Sequence, residues 1–162
     1  MSSQCVRERT ALIRAWTYNR IMRRTFLASL LALALPAAPA APSMTVYKTA
    51  TCGCCAKWVD HLKANGFIIK VEIVPDTAIV RQKYGVPEKL ASCHTGVIGA
   101  YSIEGHVPAA DIKRLLKEKP VGKGLAVPGM PMGSPGMEGP QAVAYATLLF
   151  DGEGQSTVFA KH

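Results

Sequence analysis

The chain runs to 162 residues, 49% of them hydrophobic and 19% charged, with a formal net charge of +8. Six of its 19 Lys+Arg and one of its 11 Asp+Glu fall in residues 1–40, so the remainder holds 13 basic and 10 acidic residues, a net +3, which excludes reading the basic balance as a nucleic-acid-binding patch. The chain beyond residue 40 is the size of one domain with one modest core.

Taken in order, Arg20, Arg23 and Arg24 precede the apolar run Phe26 to Leu35, and Ala38-Pro39-Ala40 supplies small residues for cleavage. Residues 1–40 therefore read as an export signal, and 41–162 as the mature domain. The apolar run falls well short of the roughly twenty residues of a membrane-spanning helix, so no permanent span is expected. Arg23-Arg24-Thr25-Phe26-Leu27 resembles a twin-arginine signal, and Met22 would itself begin an ordinary one, leaving Cys5 upstream of the protein proper.

Beyond the leader stand four cysteines: Cys52, Cys54, Cys55 and Cys93. Met44, Val46 and Tyr47 form a short predicted strand, and Cys55, Trp58, Val59 and Leu62 recur at helical spacing, so three thiols fall at a strand-to-helix junction with Thr51 as the expected cap. A helix start offers unpaired N–H groups and the positive end of the dipole, which favours thiolate, both a nucleophile and a metal ligand. Cys52 and Cys55 have the C-x-x-C spacing of a redox pair. Cys54 has no place in that chemistry and argues for metal. Two plainer readings stand beside it: thiols packed as small hydrophobes, and a structural disulfide, the usual use of an even cysteine set in an exported chain.

Asn65-Gly66 closes the first helix, and Phe67 to Val74 continues as a β-branched strand ended by Pro75. Asp76 or Thr77 caps a short helix through Ile79, Val80 and Tyr84, stopped by Gly85 and Pro87. Cys93-His94 comes just ahead of a strand running to Tyr101, with Ser102 to Val107 as its hairpin partner and Glu104-Gly105 as a bend. Pro108 opens a helix that turns Ile112, Leu115 and Leu116 inward and Lys113, Arg114, Lys117 and Lys119 outward, and Pro120 ends it. The core order is β-α-β-α-β-β-α. From Val121 to Pro140 glycine, proline and methionine dominate and no regular element is expected. Ala144 to Phe150 and Gln155 to Ala160 then close the chain as a hairpin across Asp151-Gly152-Glu153-Gly154.

Met130, Met132 and Met137 sit on that breaker-rich loop, where no helix face can bury them, so their thioethers are free to serve as soft ligands or to pack as gap-fillers. Soft sulfur selects Cu(I), and imidazole accepts copper in either oxidation state. Cys52, Cys54, Cys55 and Cys93 with His94 exceed the needs of one Cu(I), so more than one ion is expected. His61 is expected at the surface and His162 in solvent, while His106 lies between the two roles. A closed structural zinc site is the competing metal reading, although zinc sites usually pair two separated knuckles rather than one crowded knuckle and an isolated Cys-His.

Tyr47-Lys48-Thr49-Ala50-Thr51-Cys52-Gly53-Cys54-Cys55, Ser92-Cys93-His94-Thr95, Glu104-Gly105-His106-Val107-Pro108 and Gly124 to Pro131 together resemble the CopG-like family of exported metal-binding proteins, over essentially the whole chain after the leader. The resemblance implies an α/β thioredoxin-like domain, a periplasmic place in copper resistance, and copper bound by Cys52, Cys54, Cys55 and Cys93 with His94, Met130, Met132 and Met137 in support. Copper ions and other periplasmic copper-handling proteins are the partners it implies. Storage of copper and cycling between Cu(I) and Cu(II) both remain open on these residues. The enzyme rival is a thiol–disulfide oxidoreductase using Cys52 and Cys55.

Overall fold

The structure, a computed structural model, describes residues 40–162. The export-signal reading lies outside these residues. The chain begins with strand β1 (Ser43–Lys48), helix α1 (Gly53–Ala64) and strand β2 (Ile68–Ile73), with β1 and β2 parallel. Helix α2 (Thr77–Tyr84) and a 3-10 turn (Glu88–Leu90) lead to the antiparallel hairpin β3 (His94–Ile98) and β4 (Tyr101–Gly105), followed by helix α3 (Ala109–Glu118). Strands β5 (Gly124–Val127), β6 (Ala146–Phe150) and β7 (Ser156–Lys161) complete one seven-stranded sheet in the order β2-β1-β3-β4-β5-β6-β7. The first four strands run in the order β2-β1-β3-β4 with β3 antiparallel to β1, so the domain is mixed α/β.

Local chemistry explains most of the boundaries. Asn65 and Gly66 end α1, the glycine at φ 86, and Asp76 caps α2 by accepting a 2.8 Å hydrogen bond from the Ala78 N–H. Helix α1 lays Cys55, Trp58, Val59 and Leu62 on the sheet, and the Trp58 indole donates to the Val107 carbonyl at 2.9 Å. That stripe joins Met44, Val46, Phe67, Ile103, Ile112, Leu115, Leu125 and Val127 in the main core. Among the described residues no helix is long and apolar enough to cross a membrane.

Several expectations need correction. The N-cap of α1 is Cys52, whose side chain makes no capping bond, because Thr51 stands one position too early and remains exposed. The hairpin reverses at Gly99-Ala100, with Gly99 at φ 57, so Tyr101 begins β4 rather than ending β3. Gly105, at φ 72, turns the chain where the bend is expected.

The stretch from Val121 to Pro140 does contain a regular element. Strand β5 pairs parallel with β4 and is buried on both faces, Leu125 and Val127 in the main core and Ala126 against Val86, Leu90 and Phe150. Four residues buried on two sides show no alternation, so composition hides the strand. Gly124 is required there, since a Cβ would lie 1.8 Å from the Ser102 carbonyl oxygen.

Two histidines expected at the surface have structural tasks. His61 Nε2 accepts the Ala109 N–H at 3.1 Å and so serves as the cap that Pro108 cannot provide to α3. Its half-buried ring has a lowered pKa, chiefly through loss of solvent. His162 Nε2 lies 2.8 Å from Asp111 Oδ2 and its ring stacks on Tyr145, so the last residue ties β7 to α3.

Candidate metal centre

The carboxyl end of β1, the start of α1 and the start of β3 meet on one edge of the domain, because β1 pairs antiparallel with β3 and sets Lys48 opposite His94. Cys52, Cys54 and Cys55 come from the helix start and Cys93 from the residue preceding β3. The four Sγ atoms lie within 4.8 Å of one another. Cys52 and Cys55 form a disulfide, while Cys54 and Cys93 are free thiols. Each free thiol stands beside one bonded sulfur: Cys54 Sγ is 3.7 Å from Cys52 Sγ, and Cys93 Sγ is 3.4 Å from Cys55 Sγ.

Cys93 also faces nitrogen. Its Sγ lies 3.6 Å from His94 Nδ1 and 3.9 Å from His106 Nε2, and these three donor atoms form a second group within 4.8 Å. His106 is fully buried, and its Nδ1 is 2.7 Å from the Pro135 carbonyl oxygen. A carbonyl accepts only from N–H, so that contact puts the proton on Nδ1 and turns the Nε2 lone pair toward Cys93. Metal-binding histidines are commonly oriented in this way. His94 is held by Trp58, ring centroids 4.3 Å apart, and its Nε2 has no hydrogen-bond partner among the described residues.

Burial sets the charge states. Loss of solvent, reinforced by His106 and Lys48, pushes the His94 pKa down to about 3, and burial lowers His106 too. Both rings are therefore neutral near pH 7, the form a metal needs. Cys93 is pushed up to about 11, first by burial and then by the adjacent Cys54, so without a cation it stays a thiol. A metal ion bound there would have to displace its proton.

The loop carrying Cys93 is braced by Glu104, which is fully buried on β4 and accepts the Ser92 N–H and the Thr95 hydroxyl, each at 2.6 Å. These contacts fix the chain on both sides of Cys93-His94. Burial pushes the Glu104 carboxyl up to about 7 despite both hydrogen bonds and the nearby Arg81. Arg81 grips the same segment from α2, donating to the Ser92 carbonyl at 3.3 Å.

The methionine loop folds onto the site. Strand β5 delivers Met130, at φ 48, so that its Sδ lies 3.3 Å from Cys93 Sγ. Gly136 packs on the first turn of α1, where a Cβ would come within 2.8 Å of the Trp58 nitrogen and 3.1 Å of the Cys54 carbonyl. The loop has its own framework, with Gly133 donating to Met137 at 2.9 Å and the buried Ser134 hydroxyl donating to Pro131 at 2.7 Å. Met132 is exposed and its Sδ lies against Gly139, and Met137 is half-buried. Among the described residues, the thioether in contact with a thiol is that of Met130.

The structure thus gathers Cys52, Cys54, Cys55, Cys93, His94 and Met130, shows among the described residues no thiol contact of the Met132 or Met137 thioether, and adds His106 and Glu104. The hairpin register carries the missing signal. Thr95 pairs with Glu104, and one step further sets His94 beside Gly105 and hence near His106. Two free thiols, joined by two more when the Cys52–Cys55 bond is reduced, form with a thioether and two neutral imidazoles a soft set that suits copper better than a hard cation.

Residues 90–137 match the family described as "Protein of unknown function, DUF411". Two solved structures, named "Copper resistance protein copG- Form 1" and "Copper resistance protein copG- Form 2", resemble the chain at 46% and 44% identity with TM-scores of 0.71 and 0.70. Each likeness covers 75% of this chain and 98% of the other. No curated protein matches.

Proposed function

The chain belongs to the family of copper resistance protein copG, and from that premise we propose that it is a periplasmic copper-binding protein of copper resistance, holding more than one Cu(I). The ligands are Cys52, Cys54, Cys55 and Cys93, supported by His94, His106 and Met130, with Met132 and Met137 as further thioether donors on the same loop. The observation that carries this reading is the gathering of four cysteine sulfurs within 4.8 Å. Buried thiols packed as plain hydrophobes have no reason to converge on one point beside two neutral imidazoles. Thiolate sulfur bridges metal ions readily, so the donor count favours a small cluster over one ion. Sulfur favours Cu(I) and imidazole keeps Cu(II) within reach, which gives copper redox cycling a physical basis.

The test is metal analysis of the reduced protein purified from periplasm, with free thiols counted in parallel. Copper above one ion per chain is the expected result, and stoichiometric zinc would turn the reading toward a structural site.

The Cys52–Cys55 disulfide at the start of α1 favours a second reading, a thiol–disulfide oxidoreductase. Cys54→Ser separates the two. A dithiol enzyme keeps its disulfide-reducing activity in that variant, whereas a copper site loses metal or changes its spectrum.

A further inference from the structure

Cys93 is the one residue common to the two donor groups: the four sulfurs of Cys52, Cys54, Cys55 and Cys93, and the mixed set of Cys93, His94 and His106. The disulfide removes two members of the first group and none of the second. We propose that the Cys52–Cys55 bond switches the site between two copper-binding modes, a sulfur-rich cluster of several ions when the bond is open and a single copper ion on Cys93, His94 and His106 when it is closed. This rests on the copper-binding function proposed above and adds to it a binding mode for the oxidised protein.

The geometry of the second set suits one ion. With metal–sulfur and metal–nitrogen bonds of about 2.3 and about 2.0 Å, the values for zinc, angles from tetrahedral to trigonal separate sulfur from nitrogen by about 3.5–3.7 Å. The observed separations are 3.6 Å to His94 Nδ1 and 3.9 Å to His106 Nε2. Met130 Sδ, 3.3 Å from Cys93 Sγ, supplies a thioether. Two imidazoles, one thiolate and a methionine form the donor combination of single-copper electron-transfer sites. The ring orientation does not depend on the disulfide: Pro135 holds His106 and Trp58 holds His94.

Passage between the modes is a thiol–disulfide exchange with an external dithiol. Cys55 is fully buried and Cys52 is half-buried, so a donor thiolate bonds to Cys52 Sγ while Cys55 leaves as a thiolate 3.4 Å from Cys93. The second thiol of the donor then displaces Cys52. The donor departs as a disulfide, and its two electrons and two protons remain on Cys52 and Cys55. Opening the bond thus adds two thiolates beside an already occupied Cys93, which becomes a bridging sulfur.

The test uses the full chain with Cys5→Ser, so that every counted thiol belongs to the site, prepared in disulfide and fully reduced forms. Both are loaded anaerobically with Cu(I) against a competing chelator, and copper ligands are read by X-ray absorption. The disulfide form should bind one copper with nitrogen and sulfur in its shell, and the reduced form more than one with sulfur dominant. His106→Gln should weaken copper binding in the disulfide form by about tenfold or more. The double variant Cys52→Ser/Cys55→Ser should bind one copper with or without reductant. A disulfide form that binds no copper, binds it through sulfur alone, or is indifferent to His106→Gln overturns the proposal. Failure of the reduced form to exceed one copper counts instead against the cluster function.

Discussion

Cys93 stands where the sulfur group meets the nitrogen group, so its neighbours are the informative positions for mutation. Met130→Leu keeps the volume of the side chain and deletes the thioether that lies 3.3 Å from Cys93. Copper affinity should fall by about tenfold with the unfolding midpoint little changed, as in the loss of one supporting group at a metal site. A chelator competition reads this, and unchanged affinity would remove Met130 from the ligand shell. Glu104 gives a pH signature. Its folded pKa of about 7 lies above the ordinary 4.5, so the folded state binds the proton more tightly. The resulting stabilisation, on the order of 3 kcal/mol, is complete below pH 4.5 and lost as pH rises to 7. His94, with its pKa lowered to about 3, has the opposite slope, its contribution present above pH 6.5 and lost as pH falls. The difference between wild type and Glu104→Gln isolates the carboxyl. In metal-free denaturant unfolding, wild type should gain stability relative to the variant between pH 7 and pH 5, and a pH-independent difference would show that Glu104 does not titrate there.

Strand β5 and the loop after it turn a thiol-bearing α/β unit into a covered site. Gly124→Ala forces a Cβ against the Ser102 backbone and should cost about 1–3 kcal/mol, toward the upper end because a carbonyl cannot rotate away. Thermal or denaturant unfolding checks this, and a neutral result would mean that β5 is not seated on β4. Gly136→Ala acts on the loop instead. At φ 85 and 2.8 Å from the Trp58 nitrogen, an added methyl lifts the loop from α1, so copper should leave faster in a stopped-flow transfer to chelator, while the sheet unfolds at nearly the wild-type midpoint. The elements from β1 to α3 are legible in the sequence because each is punctuated: Gly66, Gly85 and Pro108 mark ends, and Cys55, Trp58, Val59 and Leu62 keep helical period. Strand β5 is not, since Gly-Leu-Ala-Val among prolines has neither alternation nor length. The thiols declare themselves by clustering. His106 and Glu104 do not, because their partners across the hairpin depend on where the turn falls, and Gly99-Ala100 is an inconspicuous turn. His61 and His162 read as solvated because the groups they bind, the Ala109 N–H and Asp111, are distant in sequence.

Across the whole molecule, one sheet brings four segments to a common edge: the end of β1 with the start of α1, the start of β3, the end of β4, and the loop after β5. This mixed α/β frame places the Cys52–Cys55 pair at its first helix, and Cys54, Cys93, two buried neutral imidazoles and a thioether surround the pair. Those additions favour copper over plain dithiol exchange, since a dithiol needs only Cys52 and Cys55. The most direct measurement is titration of the fully reduced protein with Cu(I) against a competing chelator, with bound copper and zinc both quantified. More than one tightly held Cu(I) per chain, with little zinc, is the predicted result. Saturation at a single equivalent, or zinc that Cu(I) does not displace, would contradict a multi-copper thiolate site.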